Sequence, residues 1–113
     1  MTAEEELQAK IDALRKSFAA GLVARFAELD AALAAIRPGD PLTEQPVPIR
    51  TILEQTHKIA GSAGTFGFAD MSAIASRAEQ LCDRILKNQH GRDEGALEEL
   101  RGLIADIRAE ATR

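Results

Sequence analysis

Apolar residues fall at Leu7, Ile11, Leu14, Phe18, Leu22, Phe26, Leu29, Leu33 and Ile36, in steps of three and four. This spacing is the mark of one buried helical stripe, carried by one helix or by two in succession. Gly21 lies within it, and a glycine costs ~1 kcal/mol relative to Ala in a helix interior. A break or bend near Ser17–Gly21 is therefore expected, giving an N-terminal helix over about 2–16 and another over about 18–36. Pro38, Pro41, Pro46 and Pro48 follow within eleven residues and form a linker that cannot lie inside a helix. Next comes a helix over about 49–66, with Ile49, Ile52, Thr56, Ile59, Ala63 and Phe66 inward and Gly67 as its stop. Another spans about 70–87, capped by Asp70, with Met71, Ile74, Ala75, Ala78, Leu81, Cys82 and Ile85 inside. After the turn Asn88-Gln-His-Gly91, Asp93 can cap a last helix over about 93–111, with Leu97, Leu100, Leu103, Ile104 and Ile107 inside.

The 21 alanines, with Leu, Glu, Arg and Gln, favour helix throughout, and no segment alternates as a strand would. Four helices of roughly 18–19 residues are each ~27 Å long. Matched lengths and mostly short links predict an all-α fold, an antiparallel four-helix bundle with an extra N-terminal helix. That extra helix either crosses the bundle or extends its first member. The 113 residues make a single domain, and a bundle that completes itself is expected to be a monomer.

Composition narrows the function. A net charge of −4, with no Trp, no Tyr and four Phe, lacks the basic and aromatic surface of a nucleic-acid binder. The apolar runs fall far short of a membrane span, and no secretory leader pattern opens the chain, so a cytoplasmic protein is expected. The single cysteine, Cys82, excludes a disulfide framework and is expected to pack as a small hydrophobe. His57, His90 and Cys82 have no metal-ligand spacing, and no P-loop or nucleophile elbow is present.

The informative stretch is Arg50-Thr-Ile-Leu-Glu-Gln-Thr-His57-Lys-Ile-Ala-Gly61-Ser-Ala-Gly64-Thr-Phe-Gly67. At ~100° per residue, His57 lies ~130° from the centre of the apolar face. Gly61 and Gly64, at i+4 and i+7, share its outer stripe. Two glycines there cost about 2 kcal/mol of helix stability. What they provide is room for another protein to approach the imidazole. An imidazole in water near pH 7 has a nucleophilic lone pair, and phosphoryl transfer asks of a protein mainly positioning and charge neutralisation. His57 is thus a candidate phosphoacceptor.

The run His57-Lys-Ile-Ala-Gly61-Ser62-Ala63-Gly64-Thr-Phe66-Gly67-Phe68 resembles the signature of histidine-containing phosphotransfer (HPt) domains of multistep phosphorelays. The similarity extends from about Phe18 to Ile107 through the four-helix pattern. It implies a phosphocarrier without catalytic turnover of its own. His57 would receive a phosphoryl group from a receiver-domain aspartate and pass it to another, forming phosphohistidine on Nε2. The implied partners are response-regulator receiver domains or a hybrid histidine kinase. No cofactor is implied in this chain; Mg²⁺ belongs to the receiver.

The family often has a lysine three residues after the histidine, where this chain has Ala60. Lys58, Arg50 and Arg84 are the candidates to meet phosphate instead. Some HPt domains place a Gln or an acidic residue beside the imidazole. Gln80, on the stripe Arg77–Gln80–Arg84, could accept from Nδ1–H, although the opposite flank with Glu79 and Asp83 could face His57 instead. Leu53, Ala60, Gly61 and Gly64 form the expected docking patch. Phe66 and Phe68 are expected to fill the bundle end, and His90 to sit exposed in its turn. Two other readings are a sensor-kinase dimerisation and phosphoacceptor domain and an inert helical adaptor. The first usually has an acidic residue directly after its histidine, where Lys58 stands here.

Overall fold

The computed structural model describes residues 1–87 and 93–112, except for the side chains of residues 93 and 94. It contains α1 (Ala3–Ala35), a 3-10 turn (Leu42–Glu44), α2 (Pro46–Ala63), α3 (Ala69–Leu86) and α4 (Asp93–Ala111). The helices pack in chain order, α1 on α2, α2 on α3 and α3 on α4, and α4 returns to α1. No strand occurs among the described residues, in keeping with an all-α bundle. Leu29, Ile49, Ile52, Ile59, Met71, Leu81, Ile85, Leu100 and Ile107 are fully buried at its centre. The expected turn around His90 and the expected Asp93 cap lie outside the described residues.

Three expectations about helix ends need correction. The segment 2–16 is not a separate helix, because α1 runs unbroken through Gly21 for 33 residues. Nothing lies within 4 Å of the position a Gly21 side chain would take, so no close packing requires a glycine there. At ~1.5 Å per residue α1 is ~50 Å long, nearly twice the other helices, and the molecule measures 59 × 22 × 21 Å. The stripe predicted as wholly buried is therefore buried only from Leu22 onward, while Leu7 and Leu14 are exposed.

Second, α2 starts at Pro46 and takes Pro48 into its first turn. The first four N–H groups of a helix have no intrahelical partner, so proline loses nothing there. Third, Asp70 does not cap α3. The carbonyl of Phe68 already accepts from the Ser72 N–H at 3.0 Å, which puts Asp70 inside the first turn. Its carboxylate there favourably meets the positive end of the helix dipole.

The proline-rich linker is held by one buried side chain. Gln45 Oε1 accepts from the Arg37 N–H at 2.7 Å, and Nε2 donates to the carbonyls of Arg37 (3.2 Å) and Asp40 (3.1 Å). Leu42, in the adjoining 3-10 turn, is buried beside Ile36 in the core. That turn touches α2, α3 and α4 and so closes this end of the bundle. Arg108 joins α4 to α1, pairing with Asp30 at 2.6 Å and lying 5.2 Å from the Phe26 ring centre. Gln45→Ala removes the linker's buried hydrogen bonds and should destabilise the fold by about 1–3 kcal/mol, read as a lowered urea midpoint.

Candidate functional site

The site is set by the connection from α2 to α3. Gly67 has φ +87°, a left-handed conformation that favours glycine. The Phe68 N–H reaches back to the Ala63 carbonyl at 2.8 Å, and the Gly67 N–H to that of Gly64 at 3.5 Å. This pair of bonds is a Schellman closure of α2. Gly67 thus ends the helix as its position suggested, although the regular α-helix stops at Ala63 and the last turn to Phe66 is tighter. Phe68 then leads directly into α3. The rings of Phe66 and Phe68 each lie 5.6 Å from that of Phe18, filling this end of the bundle.

So short a turn brings α2 and α3 into the most extensive helix contact of the fold. Ser72 Oγ donates to the Ala60 carbonyl at 2.7 Å. A side-chain carbon at Gly64 would lie 3.4 Å from Ser72 Oγ, whereas one at Gly61 would meet nothing within 4 Å. The two glycines therefore differ. Gly64 lies against Ser72 of α3, whereas Gly61 has open space beside it.

Two turns further along α3 from Ser72, Glu79 reaches His57. Its Oε1 lies 2.8 Å from Nδ1, across 22 residues of sequence. A carboxylate can only accept, so Nδ1 carries the proton and the neutral ring keeps its lone pair on Nε2. The His57 side chain is 70% exposed and that of Glu79 29%, so the imidazole stands in solvent on a half-buried support. No other hydrogen bond to the ring occurs among the described residues.

Glu79, not Gln80, is thus the imidazole's partner. By helical geometry Gln80 is rotated ~100° from Glu79, Arg84 ~140° and Arg77 ~160°. The flank of α3 that faces α2 carries Ser72, Glu79 and Asp83, and Asp83 pairs with Lys87 at 2.9 Å. Gln80 and Arg84 are exposed, and among the described residues the imidazole is bonded by Glu79 and not by either of them. Lys58 is exposed but lies ~100° around α2 from His57, and Arg50, also exposed, is two turns (~10 Å) away. No cation among the described residues bonds the imidazole or its carboxylate. Leu53 and Ala60 are half-buried beside His57 on the flank toward α3. Glu79 was open in the sequence only as the alternative to Gln80, and Ser72 carried no signal of its own. Their i, i+7 spacing was readable, but not the fact that it turns toward α2.

Cys82 lies fully buried in the core, as expected. Burial, with a smaller contribution from the Glu79 charge, pushes its thiol up from 9.0 to about 12. Among the described residues no three or more His, Cys, Asp or Glu side chains converge to hold a metal ion. Nor is any described helix long and apolar enough to cross a membrane.

The candidate site is thus an exposed helical histidine held by a carboxylate on the neighbouring helix of a bundle. The chain belongs to the Hpt-domain family, whose model (Hpt domain) matches residues 3–110. No curated protein and no solved structure gives a significant match. Hpt domains are phosphocarriers of two-component signalling that interact with receiver domains and kinases.

Two outcomes check this geometry. In wild-type protein, ¹⁵N NMR of the neutral His57 ring should show the Nδ1–H tautomer dominant, and Glu79→Ala should shift the population toward Nε2–H. Cys82 should resist iodoacetamide at pH 8 in folded protein and react on unfolding. Because its folded pKa lies above the unfolded value, its contribution to stability is intact below pH 9.0 and declines toward pH 12.

Proposed function

We propose that this chain relays a phosphoryl group between receiver-domain aspartates through a phosphohistidine on Nε2 of His57. The observation that carries this reading is the bond from Nδ1–H to Glu79, which leaves the solvent-facing nitrogen as the nucleophile. The Nε2 lone pair attacks phosphorus of an aspartyl phosphate. The N–P bond forms as the P–O bond to the donor aspartate breaks, and that electron pair restores the donor carboxylate. The ring gains a positive charge while Nδ1 keeps its proton. Glu79, 2.8 Å away, offsets that charge, and the reverse sequence delivers the group to the next aspartate. Mg²⁺ and the acidic pocket that hold the phosphoryl oxygens come from the receiver.

Gly61 is the close-approach position of the docking surface, bordered by Leu53 and Ala60. With Ala60 where the family often has lysine, charge on the phosphoryl group is met by the receiver and solvent more than by this chain. Lys58 and Arg50 act at most at longer range.

Incubation with a phosphorylated receiver should place acid-labile, alkali-stable label on wild type and none on His57→Gln. Equal labelling of the two, or none with any receiver of the source organism, would leave an inert adaptor as the better reading. Gly61→Leu should keep its urea midpoint within about 1 kcal/mol of wild type while transfer slows at least tenfold. Normal transfer in that variant would refute the close-approach role.

A further inference from the structure

Away from His57, the first turns of α2 carry a shallow groove that the bundle does not use. Pro46, Val47, Arg50, Thr51 and Glu54 line it, and its volume is about 220 Å³. Small-molecule sites run from ~300 Å³ upward, so the groove has room for a side chain and not for a ligand. Val47 is 76% exposed, and Arg50 and Glu54 stand exposed beside it. Four residues apart on one helix, these two charges could pair. Among the described residues neither side chain has an ion-pair or hydrogen-bond partner.

The groove shares the outer face of α2 with His57. At ~100° per residue Arg50 and Glu54 lie within ~60° of the histidine, and Val47 within ~80°. Val47 is ten residues, ~15 Å, from His57 along the axis. A protein seated on His57 reaches that far because the bundle is narrow. A standard interface takes about 800 Å² of each partner, and on a molecule of 59 × 22 × 21 Å such a footprint is at most 22 Å wide and so ~36 Å long. Centred on His57, it runs ~18 Å toward each end and covers Val47. At the ~600 Å² of a transient encounter it still extends ~14 Å, to the edge of the groove. Toward the other end of α2 the outer face offers Gly61, Ser62, Gly64 and Thr65, with no charge and no large apolar side chain. The side chains able to grip a partner are therefore those of the groove.

We propose, on the relay reading of His57, that this groove is a second anchor for the receiver domain and selects among receivers. An apolar side chain of the receiver packs on Val47, an acidic group faces Arg50 and a basic group faces Glu54. Val47 is too far from Nε2 to touch the phosphoryl group, so the anchor governs docking and leaves the transfer step alone.

The test uses the phosphorylated receiver of the source organism that labels the wild-type chain fastest. Val47→Asp keeps α2 intact, since a carboxylate in the first turn suits the helix dipole. It should raise the receiver concentration for half-maximal transfer at least about fivefold while the rate at saturation holds. Arg50→Glu should raise it too, and more at roughly 0.05 M salt than at roughly 0.5 M. An unchanged half-maximal concentration in Val47→Asp, or a lower saturating rate alone, overturns the anchor and leaves the relay standing. An Arg50→Glu effect equal at both salt concentrations overturns the charge pairing. Wild type that accepts label from phosphoramidate but from no receiver overturns the relay reading, and the anchor with it.

Discussion

The site depends on the rotational phase of α3 against α2, which the turn at Gly67 locks. Gly67 in its left-handed conformation closes α2, and Phe68 accepts the first hydrogen bond of α3 without an intervening linker. Ser72 then bonds the Ala60 carbonyl over the missing side chain of Gly64. With both helices rigid and that contact made, Glu79 has one place to be, two turns on and beside His57. An alanine at Gly67 would need the strained left-handed conformation and would also meet the Arg15 guanidinium at 2.9 Å.

The chemistry supported by this arrangement is economical because the protein supplies so little of it. A phosphocarrier must hold one nitrogen out to its partner and avoid stabilising the phosphorylated form so strongly that the group stays put. The Glu79 carboxylate holds the proton on Nδ1 and leaves Nε2 toward solvent. Among the described residues no cation bonds the imidazole or its carboxylate. Position is the protein's contribution, and the buried α2–α3 interface maintains it.

The molecule divides its helices between two tasks. The bundle has closed off its own apolar surface, with Leu42 at one end and the three phenylalanine rings at the other. The projecting turns of α1 have the same apolar periodicity but nothing of their own chain to bury it against. One uninterrupted stripe from Leu7 to Ile36 thus serves as core over part of its length and stays exposed at Leu7 and Leu14.

The sequence alone determined the helical fold and singled out the candidate histidine. Periodicity in steps of three and four separates buried from exposed positions within any single helix, so Ile52, Ile59, Ala78 and Leu100 were readable as core. The same arithmetic placed His57 outside, and Gly61 beside it with no side chain. Local signals also sufficed for the Gly67 stop. They failed where one helix must be referred to another. Whether Glu79 or Gln80 meets the imidazole depends on which flank of α3 turns toward α2, and whether Leu7 is core depends on how far the neighbouring helices reach. Both are relations between elements far apart in the chain, decided by packing and loop geometry. A residue's angle around its own axis carries no information about what stands across from it.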